Sequence, residues 1–142
     1  MSLSLQVKKL LPTAKLPTFA YKTDAGMDLY TAHDFLLAPG QRLSVSTGIA
    51  IAIPVGYVAL IWDKSGIAHK RGIKGLGGVI DSGYTGEIFV GIVNTGSEPQ
   101  AFTVGDKVAQ LLIQKVEHPD IVEVEELSKT ERGEGRFGST GQ

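Results

Sequence analysis

Asp63-Lys64-Ser65-Gly66 places a cation, a hydroxyl and a glycine where an apolar stretch gives way to a short helical one. A helix start offers backbone N–H groups without intrahelical acceptors and the positive end of the helix dipole. Lys64 adds charge, Ser65 a hydroxyl, and Gly66 lets a ligand approach the backbone, so the segment has the parts of a phosphate site. An ordinary helix start beside a solvated lysine uses the same residue types. Gly133-Glu134-Gly135-Arg136-Phe137-Gly138 fits the pattern G-x-G-x-x-G. No strand pattern precedes it and no helix pattern follows, so neither a kinase loop nor a dinucleotide fingerprint fits. Its amides can still wrap phosphate oxygens, Arg132 or Arg136 can pair with them, and Phe137 can stack on a base. In Gly77 to Ile88, Asp81 stands before a glycine-framed turn, with Tyr84 three residues on. Asp81 can orient a water as general base, or simply close the turn. Asp28 and Gln110 are polar residues in apolar runs, suited to a ligand or to a buried backbone group. His33, His69 and His118 lack metal-ligand spacing, and there is no cysteine, which excludes disulfides, zinc-thiolate sites and thiol catalysis. No Gly-x-Ser-x-Gly elbow is present.

The elements that must position these residues are mostly strands. Arg42 to Val45, Gly48 to Ile53 and Tyr57 to Trp62 read as short strands, with Pro39-Gly40 and Pro54-Val55-Gly56 as turns. Ile88 to Val93 is apolar on both faces, which predicts a strand buried on both sides or covered on one by a partner subunit. Lys107 to Val116 and Ile121 to Leu127 give two more strands, the second with Val122 and Val124 alternating with Glu123 and Glu125. One helix is predicted, over Ser65 to Arg71, capped by Ser65 and stopped by Gly72. Strands at such spacing, with turn signals between them, predict an all-β sandwich or barrel with one short helix. Residues 1–127 form this domain, and the glycine-rich segment 128–142 is expected to be a flexible arm.

The chain has 142 residues, 42% of them hydrophobic and 20% charged, enough for one domain with its own core. A net charge of −1 leaves no basic excess for nucleic acid. The longest apolar run, near residues 47–62, is broken by Gly48, Pro54 and Gly56, so no membrane-spanning helix is expected. The first residues show no export signal, which makes the cytoplasm the expected compartment.

Five segments in order, Ala25-Gly26-Met27-Asp28-Leu29, Lys64-Ser65-Gly66-Ile67-Ala68, Gly78 to Ile88, Gly105 to Leu111 and Arg132 to Gly141, resemble the motif set of the trimeric dUTP pyrophosphatases (dUTPases). The resemblance runs from about Leu11 to Gln142. It implies a jelly-roll-like β fold, a homotrimer, and hydrolysis of dUTP to dUMP and pyrophosphate with Mg²⁺. In that family the reaction supplies dUMP for thymidylate synthesis and keeps uracil out of DNA. The resemblance casts Asp81 as the residue that activates the water and Tyr84 as the one that packs on the deoxyribose. It gives the uracil edge to backbone groups around Gly75 to Ile80, Gly78, Val79 and Ile80 among them. Ser65, Gly66 and Gln110 hold phosphate oxygens beside Lys64. Asp28 supports Mg²⁺-bound waters, Arg132 pairs with the terminal phosphate, and Phe137, followed by Gly138, stacks over the uracil. Active sites in the family draw motifs from more than one subunit.

Three segments depart from the family pattern. Asp63-Lys64 stands for proline-arginine, which keeps a cation but loses the bidentate fork. Arg136 stands for a glycine, and the uracil hairpin is glycine-rich where some members have an asparagine. The dCTP deaminase branch of the same fold carries a glutamate where this chain has Gly91 and an arginine where it has His69. A non-catalytic nucleotide-sensing or protein-binding module on the fold is the reading from another class.

Overall fold

The computed structural model describes residues 2–141. Its strands are β1 (Gln6–Lys9), β2 (Met27–Tyr30), β3 (Phe35–Leu37), β4 (Arg42–Ala52), β5 (Tyr57–Trp62), β6 (Ile73–Leu76), β7 (Val79–Ile80), β8 (Glu87–Asn94), β9 (Gln100–Phe102) and β10 (Lys107–Lys115), with the helix α1 (Ser65–Arg71) between β5 and β6. One sheet has the order β1-β4-β8-β6, a second β2-β10-β5-β7, and β3 pairs with β9 in a separate ribbon. All of these pairings are antiparallel.

The alternation along β4, β8 and β10 turns one set of side chains inward. Val45, Ile49 and Ile51 of β4 and Ile88, Val90 and Ile92 of β8 share a core with Leu29, Ala59 and Leu111 of the other sheet. Burial of each large aliphatic side chain contributes about 1.5–3 kcal/mol. Phe35 and Phe102 stack with ring centroids 4.6 Å apart and tie the ribbon to this core. Asn94 is buried but fully bonded: its amide donates to Leu37 O and Glu98 O and accepts from the Gly96 N–H.

The all-β architecture agrees with the sequence reading, with four differences in detail. The two strands expected at 42–45 and 48–53 are one strand, β4. Its register on β8 shifts between Ser46 and Ala50, and Thr47 Oγ1 bridges the irregularity by donating to Ile88 O at 2.6 Å. Ser65 is not the helix cap. Lys64 occupies that place with no side-chain cap bond, and α1 ends as expected at Gly72, whose φ of 68° is left-handed. On β8 only Ile88, Val90 and Ile92 enter the core, while Phe89 on the opposite face is half exposed. Finally, Ile121 to Leu127 is not a strand. β10, the strand before it, already has β2 on one side and β5 on the other, the segment pairs with none of the open sheet edges, and Ile121, Val122 and Leu127 stay exposed.

Candidate active site

Asp28, Gln110 and Trp62 lie side by side across β2, β10 and β5, because Gln110 pairs with Asp28 in one direction and with Trp62 in the other. One residue beyond Trp62 the chain leaves β5 and reaches Lys64 at the start of α1. Asp28 is only 2% exposed, and Lys64 Nζ lies against its Oδ1. Lys107 Nζ stands 3.0 Å from Oδ2. Burial pushes the Asp28 carboxyl upward, but hydrogen bonding and charge from Lys64 and Lys107 outweigh it, and the group lies below its ordinary value. Hydrogen bonding and charge from Asp28 raise Lys107 in turn.

Gln110 is equally committed. Its Nε2 donates to the Asp63 carbonyl at 2.9 Å, and its Oε1 fills the space that a methyl on Gly26 would need. A glutamine amide has a second N–H, so one donor is left for a ligand. At the helix start, the first backbone bond inside α1 runs from the Ala68 N–H to Lys64 O. The N–H groups of Ser65, Gly66 and Ile67 therefore have no acceptor inside the helix. Space is open beside Gly66.

A second group of residues surrounds a cavity of about 260 Å³ lined by Gly78, Val79, Ile80, Asp81 and Tyr84 along with Ile61. The turn from β6 into β7, which belong to different sheets, delivers the first three, held on β5 through Ile80 opposite Ala59 and Val79 opposite Leu60. Asp81 follows β7 directly and is exposed to water. The Tyr84 N–H donates to Asp81 O, and the Tyr84 hydroxyl donates to Glu87 O at 2.7 Å. The ring crosses its own turn, and a methyl on Gly86 would meet its hydroxyl oxygen at 2.7 Å. A smaller cleft of about 130 Å³, lined in part by Asp63, Gly75, Gly78 and Val79, adjoins this cavity. Asp63 and Gly78 thus line one space, next in sequence to Lys64 on one side and sharing Gly78 and Val79 with the Asp81 cavity on the other.

The structure leaves Arg132, Phe137 and Gly138 apart from both groups. Within 128–141 the hydrogen bonds are local, such as Arg132 Nε to Gly135 O, and Phe137 is fully exposed. Two participants were not singled out in the sequence. Lys107 becomes visible only through the pairing of β10 with β2. Lys74 meets Asp63 across two sheets. Gly91 stands between Ser44 of β4 and Leu76 of β6, and an added Cβ would lie 2.8 Å from Leu76 O. A longer side chain there would have to push β6 aside at Leu76 O.

Residues 13–141 match the family model for dUTPase. The chain belongs to the dUTPase family. A deoxyuridine 5'-triphosphate nucleotidohydrolase of Thermobifida fusca is 49% identical over 140 residues, covering 96% of this chain and 78% of that protein. One from Mycolicibacterium gilvum is 46% identical over 149 residues, covering 99% and 97%. Among solved structures, a dUTPase of Staphylococcus bacteriophage 80alpha with dUpNHpp superposes with a TM-score of 0.94 at 31% identity, covering 99% of this chain and 100% of that one. A dUTPase of phage phi11 of S. aureus, described for the coordination of a structural Mg(II) ion, gives 0.83 at 30% identity, covering 87% and 98%. Membership in the family fits the order in which the two groups of residues occur along the chain.

Among the described residues no three His, Asp or Glu side chains gather around a common point. A protein-built metal cage is therefore not what the side chains offer. Asp28 Oδ2 is buried without an aligned hydrogen-bond donor, although Lys107 stands beside it. With each oxygen paired to a lysine, the Asp28 carboxylate would reach an Mg²⁺ that arrives on phosphate oxygens only through the waters the ion keeps.

Proposed function

We propose that this protein hydrolyses dUTP to dUMP and pyrophosphate, supplying dUMP for thymidylate synthesis and keeping uracil out of DNA. The observation that carries the reading is a water-exposed Asp81 in a cavity whose other walls are Tyr84 and the β6–β7 turn. Asp81 orients a water and takes its proton as the oxygen bonds to the α-phosphorus. The bond from the α-phosphorus to the bridging oxygen breaks, and pyrophosphate leaves. Lys64, the α1 amides at Ser65 and Gly66, and the free Gln110 N–H hold phosphate oxygens. Backbone groups from Gly75 to Ile80 read the uracil edge, and the Tyr84 ring excludes a ribose 2′-hydroxyl. Arg132 pairs with the terminal phosphate, and Phe137 covers the base when the arm closes. Asp28 would hold waters of an Mg²⁺ bound with the triphosphate, whose charge would offset that of the phosphate oxygens.

The working assembly is a homotrimer. A half-exposed Phe89 on β8 and the exposed Ile121, Val122 and Leu127 of the unpaired 121–127 segment support it, as apolar surface that another copy could cover. Arg132 and Phe137 then complete the site of a neighbouring subunit. The lack of room at Gly91 disfavours a deaminase, because the acid–base glutamate of that branch has nowhere to stand.

Turnover of dUTP in ¹⁸O-water tests the reaction. Label in dUMP, with none in pyrophosphate, is the expected result. Label in pyrophosphate would place the attack on another phosphorus, and formation of dUDP or deoxyuridine without pyrophosphate would reject the scheme.

A further inference from the structure

Asp63 stands where the family has a proline, and its carboxylate does not turn toward Lys64. Oδ1 accepts the Gly75 N–H at 2.7 Å, and Oδ2 pairs with Lys74 Nζ at 2.9 Å. The Asp63 carbonyl accepts from Gln110 at 2.9 Å. The residue is therefore tied to β10 by its backbone and to β6 by its side chain. β5 and β6 belong to different sheets, and β6 is an outer strand with β8 as its only ladder partner. The Gly75 N–H points away from β8 and takes the carboxylate in place of a ladder acceptor. A methyl on Gly75 would overlap Asp63 Oδ1, so the carboxylate fills the room that any side chain at 75 would need.

We infer that Asp63 is the positioning residue of the base-reading turn: its carboxylate clasps β6 at Gly75 and Lys74 and sets the distance between that turn and Lys64. The inference rests on the reading that Gly75 to Ile80 faces the base while Lys64 faces the phosphates. A nucleotide spans a fixed length between those two ends, and backbone donors discriminate between pyrimidine edges only when they are held still. The clasp is a charge-assisted bond to an edge strand that is otherwise free on that side, which makes it the strongest restraint on the turn's outer edge. The negative charge that Asp63 brings near a phosphate site is meanwhile neutralised by Lys74.

Steady-state kinetics of the full-length Asp63→Ala variant with dUTP and dCTP test the clasp. KM for dUTP rises about tenfold, the equivalent of ~1.4 kcal/mol. Turnover stays within a factor of about three, and the preference for dUTP over dCTP in kcat/KM falls about tenfold. Asp63→Asn, which keeps an acceptor for the Gly75 N–H, restores most of both. Exchange of the Gly75 amide speeds up about tenfold in Asp63→Ala while that of the core residue Ile92 does not, which separates local loosening from a general loss of stability. If Asp63→Ala does not fold, Lys74→Met, which removes the ion-pair arm of the clasp and leaves Asp63 and Gly75 in place, carries the same expectations at smaller size. A fall in kcat at unchanged KM, or wild-type selectivity and Gly75 exchange in these variants, overturns the inference. An active wild type with unaffected variants overturns the clasp alone, whereas a wild type that does not hydrolyse dUTP overturns the underlying reading and the clasp with it.

Discussion

Asp28 is a buried carboxylate between two ammonium groups, and its energetics follow from how unequally the three are buried. The Lys64 and Lys107 side chains are 28% and 48% exposed against 3% for Asp28, so losing Asp28 leaves two cations that water can still solvate. Asp28→Asn is therefore expected to cost about 1–3 kcal/mol at neutral pH, below the cost of stranding a charge in a core. Because the folded-state value of Asp28 is lowered, its contribution is fully present above the ordinary carboxylate range and is lost as pH falls through the folded value. Urea unfolding from pH 7 down to pH 2 should show the gap between wild type and Asp28→Asn closing at the acid end. A constant gap would mean that packing, and not charge, is what Asp28 supplies. Asp81 carries a different prediction. Asp81→Asn is nearly isosteric and cannot accept the water's proton, so kcat should fall by about 10² or more while nucleotide affinity changes little. Tyr84→Ala removes the ring that packs over Gly86 and should relax the preference for dUTP over UTP more than that for dUTP over dCTP. An unchanged sugar preference, read from kcat/KM for the three nucleotides, would move that role elsewhere.

At the scale of elements, the site depends on where strands end. Lys64 follows β5, Asp81 follows β7, and Asp28 and Gln110 are cross-strand neighbours. The sequence made Lys64-Ser65-Gly66 and Gly77 to Ile88 legible because turn chemistry is local: glycines, an aspartate and a hydroxyl announce themselves within a few residues. It did not reveal β1, β2, β3, β6, β7 or β9, which are two to four residues long and too short to show a period. Nor did it reveal the contacts of Asp63 with Gly75 or Asp28 with Lys107, since these depend on the arrangement of the strands, which no local pattern encodes. β8 shows the cost of that packing. Gly91 is flanked by strands on both sides, and Gly91→Ala should lower stability by about 1–3 kcal/mol, measurable by thermal unfolding, because Leu76 O must give way. Stability unchanged by Gly91→Ala would show that β6 yields freely at this edge, and would weaken the steric argument against a deaminase.

For the whole molecule, the segment after β10 is the part that one copy cannot account for. The alternation from Ile121 to Leu127 reads as a strand, yet a strand needs a neighbour, and within one copy the segment docks on none of the sheet edges. Beyond it, Arg132 to Gly138 holds local turns far simpler than the contacts its residues imply. Deleting Arg132 to Gln142 should leave the unfolding temperature nearly unchanged and cut turnover severely, because the segment contributes nothing to the core and supplies the cover over base and phosphate. Normal hydrolysis by the truncated protein would reduce the arm to a terminus. The account as a whole is tested most directly by pyrophosphate release with Mg²⁺ from dUTP, UTP, dCTP and dTTP in parallel. It predicts rapid release from dUTP and little from the other three. Ammonia from dCTP, or tight binding of dUTP with no pyrophosphate released, would contradict it.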